Sequence, residues 1–143
     1  MEKVSLMLKI NEADMAIFKA VSARYKKNNL GVTPAHARII MFIFDTESEV
    51  CQKDIERHVS CNKSTMSTIL DTMEKNGLIE RNCVDGDLRR NVITLTDKSL
   101  EVAKTLKKDS INLDNILIES LSDNEVQMFC QVLDKIRKNV ERI

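Results

Sequence analysis

Small hydrogen-bonding side chains line one face of a predicted helix near the middle of the chain. The apolar stripe of this helix consists of residues at helical spacing, which are Met66, Ile69, Leu70 and Met73. The opposite face carries the side chains of Lys63, Ser64, Thr65, Ser67, Thr68, Asp71 and Thr72. Long Lys, Glu and Arg side chains have the better helix propensity, whereas Ser and Thr permit close approach to another polar surface. Base edges in a major groove are such a surface, so the pattern predicts contact with DNA. An ordinary solvated polar face is the alternative.

The elements around this face predict a helix-turn-helix. Residues 52–59 form a short amphipathic helix, with Ile55 and Val59 on its apolar side. A turn follows, and Asn62 can cap the second helix by accepting a backbone N–H group of its first turn. Gly77 suits the left-handed position that ends many helices, so the second helix is predicted to stop there.

A two-stranded hairpin is predicted immediately after this helix. Residues 78–84 and 91–95 are strand-like runs, and Asp85-Gly86 is a strong turn signal. Residues 84–91 are therefore predicted to form a loop that projects from the two strands, with Arg89 and Arg90 near its tip. A helix-turn-helix followed by such a hairpin is a winged helix, in which the hairpin is the wing.

Charged residues of the wing are candidates for contact with DNA. Asp87 precedes Arg89 by two residues and could hold its guanidinium by a charge-assisted hydrogen bond, aiming it into a narrow minor groove. For Arg89 a solvated turn residue is the alternative. Arg81 is predicted either to contact a phosphate or to orient the wing by pairing with a neighbouring acid.

These residues resemble the pattern of a known family. The run Asn76-Gly77-Leu78-Ile79-Glu80-Arg81, then Asp87-Leu88-Arg89, then Leu95-Thr96, looks like the signature of the multiple-antibiotic-resistance regulator (MarR) family of bacterial repressors. The segment STMSTILDTMEKNGLIER resembles the recognition helix of that family, and the resemblance covers nearly the whole chain. It implies a homodimer whose two recognition helices lie about 10 base pairs apart on a near-palindromic operator.

Two residues depart from the family pattern. Thr68 stands where the family commonly has Arg, which removes a candidate bidentate contact with guanine. Base choice is then expected to depend on Ser64, Thr65 and Ser67, and on DNA shape. Ser99 stands where a Gly usually follows the Leu-Thr pair. It lies inside a helix predicted to begin near residue 97, where Ser lowers helix stability less than Gly would.

The family resemblance also implies an effector. Family members often bind small, commonly aromatic anions in a crevice between the dimer helices and the winged helix. The polar residues predicted near that junction are Tyr25, His36 and Arg38. Their alternative role is structural, since a lone His or Arg there is more often a satisfied structural residue.

Long amphipathic helices are predicted on both sides of the winged helix. One covers residues 5–28, a second opens with the cap and proline of Thr33-Pro34, and Ser122 with Glu125 forms a capping box for the last. The apolar residues of the last helix step by three and four, like the seam of a coiled coil. An intramolecular core is the alternative to a dimer contact for this stripe. The predicted dimer contacts are Leu6, Ile10, Ile17, Val126, Phe129, Leu133, Ile136 and Val140.

Composition limits the classes of protein to which the chain can belong. Its 143 residues are 43% hydrophobic and 31% charged, which fits one soluble globular domain, or one domain with helical extensions, and no long apolar run suggests a membrane span. No signal-peptide pattern is visible, so a cytoplasmic location is expected. The net charge of zero, from 22 basic and 22 acidic side chains, disfavours a protein held to polyanions by bulk charge. Residue spacings predict no metal site, no cofactor and no enzyme.

One of the four cysteines is a candidate redox sensor. Cys51 immediately precedes the helix of residues 52–59, where the positive end of the helix dipole would favour the thiolate. The alternative is a small half-buried residue in place of a Ser or Thr cap. Cys61 and Cys130 are expected in core positions, and Cys83 is expected to be exposed on the wing.

The sequence therefore predicts a mainly α-helical protein with a small β-hairpin wing. Residues 34–96 would form a winged helix-turn-helix, and residues 1–31 and 97–143 would form flanking dimerisation helices. The expected function is a homodimeric DNA-binding transcription regulator, a repressor released by a small-molecule or oxidative signal. The alternative is a winged-helix protein-interaction module that has lost DNA binding. The predicted DNA contacts are Asn62, Lys63, Ser64, Thr65, Ser67, Thr68, Arg81, Asp87, Arg89 and Arg90.

Overall fold

A computed structural model describes the backbone of residues 4–84 and 86–143 and their side chains other than those of residues 87–90. Within this part of the chain the elements are α1 (Leu6–Lys27), α2 (Pro34–Asp45), α3 (Gln52–Val59), α4 (Lys63–Lys75), β1 (Ile79–Val84), β2 (Asp87–Leu95), α5 (Asp97–Ile118) and α6 (Asp123–Val140). The two strands pair antiparallel. The predicted fold class, mainly helical with a small hairpin wing, is confirmed.

Local side-chain hydrogen bonds start several of these helices. Thr33 Oγ1 accepts the N–H of His36 at 3.2 Å, and Pro34 opens α2 behind it. Ser122 Oγ accepts the N–H of Glu125 at 3.3 Å, and the Glu125 carboxylate accepts the N–H of Ser122 at 2.8 Å. The N–H and the Oγ of Ser122 both donate to the Glu125 carboxylate at 2.8 Å, and these two bonds hold the pKa of the Glu125 carboxyl below its usual value. Both predicted helix starts are confirmed.

The chain divides into two compact units, Met1–Leu106 and Lys107–Ile143. The first unit has a hydrophobic core that joins α2, α3 and α4 to the wing and to parts of α1 and α5. The predicted stripe of α4 supplies its centre, because Met66, Leu70 and Met73 are completely buried. Burial of such side chains contributes about 1.5–3 kcal/mol each, so the core fixes how α4 is rotated about its own axis.

The wing is longer and its turn is tighter than predicted. Cα partners run from Ile79↔Leu95 to Cys83↔Asn91, and the register then shifts to Val84↔Asp87. The prediction of a loop over residues 84–91 is therefore wrong, because β2 begins at Asp87. Gly86, with φ +71°, supplies the left-handed backbone that a tight reversal needs.

A short segment before α3 extends the sheet of the wing. Cys51 forms an isolated antiparallel bridge with Val92, and the N–H of Ile93 donates to the carbonyl of Val50 at 2.8 Å. No pattern in the sequence predicted this pairing. The contacts of Val50 and Cys51 with β2 connect the wing to the start of the helix-turn-helix.

The second unit contains the last part of α5 together with α6, and it exposes apolar side chains. None of the α6 residues is buried, and Phe129 is 59% exposed. In the single chain, the α6 stripe therefore does not form an intramolecular core. Cys130 is exposed as well, so its expected core position is wrong for the single chain. Among the described residues, no helix has the length and hydropathy needed to cross a membrane.

Candidate nucleic-acid interface

The N-terminus of α4 is capped and presents polar groups to solvent. Asn62 Oδ1 accepts the N–H of Thr65 at 2.8 Å, which confirms the predicted cap. Asn62, Lys63, Ser64 and Thr65 are exposed, and the first turn of α4 holds no acidic residue. The free N–H groups and the positive end of the helix dipole therefore meet solvent next to a lysine, an arrangement suited to a phosphate.

The hydroxyl groups along α4 differ in what they can offer. Thr68 Oγ1 donates to the carbonyl of Ser64 at 3.2 Å, and Thr72 Oγ1 donates to the carbonyl of Thr68 at 3.0 Å. Their protons are thus used within the helix, which leaves the oxygen lone pairs free to accept from outside. Thr68 is exposed and Ser67 is half-buried. The predicted polar face exists, with acceptors along its length.

The far end of α4 is closed by a glycine turn. The N–H of Gly77 donates to the carbonyl of Glu74 at 3.0 Å, and the N–H of Leu78 donates to the carbonyl of Met73 at 2.9 Å. This pair of bonds is the Schellman arrangement, and Gly77 has the φ of +69° that it requires. Leu78 is fully buried behind the turn. The predicted role of Gly77 is confirmed.

Arg81 lies between the wing and α4. Its Nη2 is 2.8 Å from Asp71 Oδ1 and its Nη1 is 3.8 Å from Glu74 Oε2. Nε and Nη2 are buried and have no aligned hydrogen-bond acceptor among the described residues, so the contacts are ion pairs by distance. With only 22% of its side chain exposed, Arg81 pins β1 against α4, as in the pairing alternative that the sequence left open.

Two contacts that the sequence analysis missed fix α3 to its neighbours. The rings of Phe42 in α2 and His58 in α3 stack with centroids 4.2 Å apart and planes inclined by 16°. Gln52 Nε2 donates to Glu56 Oε1 at 2.9 Å and to the carbonyl of Lys63 at 3.5 Å. A glutamine one turn before a glutamate on the same helix face was the available signal for the bond within α3, and no local pattern signalled the contact with Lys63.

Cys51 is part of the start of α3. Its N–H and its Sγ both donate to Asp54 Oδ2, at 2.9 and 3.0 Å. The side-chain bond and the backbone bond from Cys51 lower the pKa of the Asp54 carboxyl. The half-buried Cys51 therefore contributes to the start of α3, and its redox role stays a prediction.

The side chains of Asp87, Arg89 and Arg90 lie outside the described residues. Their backbone belongs to β2, on the part of the wing that follows the turn. The predicted hydrogen bond between Asp87 and Arg89 stays a prediction.

An open cavity of about 480 Å³ lies within the first unit, beside the end of α4. Its lining includes Tyr25 and Lys26 of α1, His36 of α2, and Asn76, the C-cap of α4. Nδ1 of His36 is buried without a hydrogen-bond partner among the described residues, and burial lowers the pKa of this imidazole. Arg38 is exposed and does not line this cavity. Within the described residues, no group of three His, Cys, Asp or Glu side chains could hold a metal ion.

The fold and this surface define a winged helix-turn-helix protein, with α3 and α4 as the helix pair and the β1–β2 hairpin as the wing. Residues 32–90 match the MarR family, which spans that helix pair and most of the wing. By this match the chain is similar, over residues 32–90, to the MarR family of winged-helix, DNA-binding transcription regulators.

The chain is similar in sequence or in structure to the following three proteins. An uncharacterized HTH-type transcriptional regulator of Bacillus subtilis, YdgJ, is 21% identical over 113 residues, which cover 79% of this chain and 68% of that protein. A MarR protein from Peptoclostridium difficile has a TM-score of 0.84 at 20% identity, covering 99% of this chain and 92% of that one. MepR of S. aureus, in a complex with DNA, has a TM-score of 0.84 at 16% identity, covering 98% and 99%. The structural likenesses show the fold.

Proposed function

We propose that this protein acts as a homodimer that binds a near-palindromic operator in promoter DNA and represses transcription there. The observation that carries the proposal is the exposed, hydroxyl-rich face of α4, which begins at a capped N-terminus without acidic residues. The fold shared with MepR, a protein whose structure was determined in a complex with DNA, supports it. A repressor of this kind acts by occupying the promoter in place of polymerase.

The contacts with DNA divide into positioning and reading. Asn62 and Lys63, at the positive end of α4, bind a phosphate and set the register. Ser64, Thr65, Ser67 and Thr68 read base edges in the major groove, in which Thr68 accepts from amino groups because its proton is used inside the helix.

The wing completes the DNA contact on the other side of α4. Arg89 and Arg90 enter the adjacent minor groove, where Asp87 orients Arg89. Arg81 takes no direct part in binding, because its guanidinium is held by Asp71 and Glu74. Its role is to hold the wing in a fixed position against α4.

Two copies of the chain associate through apolar side chains that the single chain leaves exposed. In α1, Leu6 is 54% and Ile17 is 41% exposed, and Phe18, which the sequence analysis did not single out, is 56% exposed. In α6, Phe129 and Val140 are similarly exposed. Exposed apolar stripes of this kind mark protein contacts, and a two-fold dimer matches a palindromic site. The remaining predicted contacts are Ile10, Val126, Leu133 and Ile136.

A small effector releases the repressor from DNA. The cavity beside Asn76 offers the ammonium of Lys26, the hydroxyl of Thr33 and the ring of Tyr25, groups that suit a small aromatic anion. Such an effector binds more tightly to a dimer whose recognition helices have the wrong spacing for the operator. The ratio of its affinities for the two forms of the dimer limits how far it can lower DNA affinity. A small molecule is favoured over oxidation as the signal, because the Cys51 thiol is hydrogen-bonded to Asp54.

Selection of bound fragments from a random DNA pool tests this proposal. Wild type, Arg89→Ala and the matched control Arg142→Ala, an exposed arginine at the end of the chain, are compared at near-physiological salt. We expect wild type and the control to enrich one near palindrome and Arg89→Ala to bind it more weakly by on the order of 1–3 kcal/mol. A folded, dimeric wild type that enriches nothing, and whose DNA affinity does not depend on salt, would favour a protein-interaction module instead.

A further inference from the structure

The first turn of α5 is hydrogen-bonded to the glycine turn that closes α4. Thr96 Oγ1 donates to the carbonyl of Gly77 at 2.7 Å, and Lys98 Nζ donates to the carbonyl of Asn76 at 3.1 Å. The N–H of Thr96 donates to the carbonyl of Leu78 at 3.4 Å. Three consecutive carbonyl groups after the recognition helix therefore find their partners on the residues that start the next long helix.

The buried Ser99 is hydrogen-bonded to Thr96. Ser99 is completely buried, its N–H donates to Thr96 Oγ1 at 3.3 Å, and its Oγ donates to the carbonyl of Thr96 at 3.1 Å. Thr96 Oγ1 lies 2.7 Å from the carbonyl oxygen of Gly77 and 3.4 Å from Ser99 Oγ, so Gly77 is the nearer acceptor of its hydroxyl proton. The hydroxyl of Ser99, which departs from the glycine of the family pattern, adds the bond to Thr96 that a glycine could not make.

Lys98 adds an electrostatic contact at the same place. The C-terminus of α4 is the negative end of the helix dipole, and the Lys98 ammonium donates to the carbonyl of Asn76, the C-cap of α4. On the wing side, Arg81 contacts Asp71 and Glu74 near the same end of α4. The C-terminal half of α4 is thus held by charged contacts from two elements, whereas its N-terminal half is free to face DNA.

We propose that Thr96, Lys98 and Ser99 are positioning residues that fix the direction of α4 relative to α5, and so set the half-site spacing that the dimer accepts. This inference rests on the proposed function. Helix α4 has 13 residues and is about 20 Å long, since each residue rises 1.5 Å. A tilt of about 10° about its C-terminal end moves its N-terminus by about 3.4 Å, the rise of one base pair. In a two-fold dimer both recognition helices move, so such a tilt directed along the DNA axis changes the half-site spacing by up to about two base pairs.

Binding to operators of different spacing tests the proposal. The selected operator is altered by adding or removing one or two base pairs between its half-sites. Wild type, Lys98→Met, Lys98→Arg and the control Lys104→Met, a lysine of the same helix that pairs with Glu101, are compared in fluorescence titrations. Each Lys→Met change removes one charge, so general loss of phosphate attraction is the same in both.

We expect wild type and Lys104→Met to lose about tenfold or more in affinity for each added base pair, a loss typical of one mismatched contact. Lys98→Met should lose less than about threefold per step, because α4 can follow the shifted half-site, and Lys98→Arg should lie between them. Amide exchange at Gly77 and Leu78 should be faster in Lys98→Met than in Lys104→Met, while Tm stays close to that of wild type.

Two outcomes overturn the inference in distinguishable ways. A sharp spacing optimum that is the same in wild type and Lys98→Met, or unchanged amide exchange in that variant, overturns the positioning role and leaves the proposed function intact. A dimeric wild type that binds no operator of any spacing overturns the proposed function and this inference with it.

Discussion

Substitution of Asn62 separates the helix cap from the DNA contact. Asn62→Ala removes the acceptor of the Thr65 N–H, a bond of 2.8 Å. Loss of such a cap costs about 1 kcal/mol, which at a urea m-value of about 2 kcal/mol/M lowers the unfolding midpoint by about 0.5 M. Asn62→Asp keeps the cap and adds a favourable charge at a helix N-terminus that has no acidic residue in its first turn. Its stability should equal or exceed that of wild type.

The effect of Asn62→Asp on DNA binding has the opposite sign. A carboxylate about 5 Å from a phosphate in water is repelled by about 0.8 kcal/mol. The two copies in a dimer give about 1.7 kcal/mol, roughly a 15-fold loss of affinity. The loss should shrink as salt is added, because exposed charges are screened. Fluorescence anisotropy at several salt concentrations measures it, beside urea unfolding at one fixed protein concentration.

Thr33→Ala is the matched control, because Thr33 caps α2 in the same way with a bond of 3.2 Å. It should lose about as much stability as Asn62→Ala, about 1 kcal/mol, and keep its affinity for DNA. Full DNA affinity in a folded Asn62→Asp dimer would refute the placement of the α4 N-terminus against a phosphate. A loss of stability in Asn62→Asp would refute the cap.

Ser67→Ala should weaken the base preference at one position of the operator and leave the affinity for random DNA nearly unchanged, as a repeated selection would measure. Equal losses of affinity for the operator and for random DNA would contradict its role in reading bases. The double variant Phe129→Lys, Leu133→Lys should be monomeric in analytical ultracentrifugation. Its operator affinity should be weak, because avidity from the second half-site is lost. A fully dimeric product would show that α6 is not in the dimer interface. Because burial lowers the pKa of His36, its stabilising contribution is present above the unfolded value of 6.5 and is lost as pH falls below it. The Tm of wild type should therefore fall between pH 7 and pH 5 more than that of His36→Gln, and identical curves would contradict this.

The helix boundaries could be predicted because their signals are local. Asn62 and Thr33 bond to N–H groups three residues away, and Gly77 ends α4 by its own backbone conformation. Contacts over three or four residues depend on little besides the sequence between them. The buried stripe of α4 was predictable for the same reason, since helical spacing fixes which residues share a face.

The wing was predicted in kind but not in extent. The reversal at Gly86 was predicted, yet strand pairing depends on registers that span the hairpin and on the bridge from Cys51 to Val92. No local pattern specifies that a residue before α3 lies beside one 41 positions later, as the numbers of this bridge require. For Arg81 the sequence allowed either a phosphate contact or a pairing with a neighbouring acid. The contact with Asp71 forms because the fold places α4 beside β1.

The sequence alone determined the order of helices, their caps, the polar face of α4 and the resemblance to the MarR pattern. Tertiary structure decided that the start of α5 is bonded to the end of α4 through Thr96 and Lys98, and that the apolar stripe of α6 stays exposed in a single chain. The physical reason is that an apolar stripe has the same spacing whether it faces a core or a partner, and that a free carbonyl can be satisfied by any donor that the fold brings near.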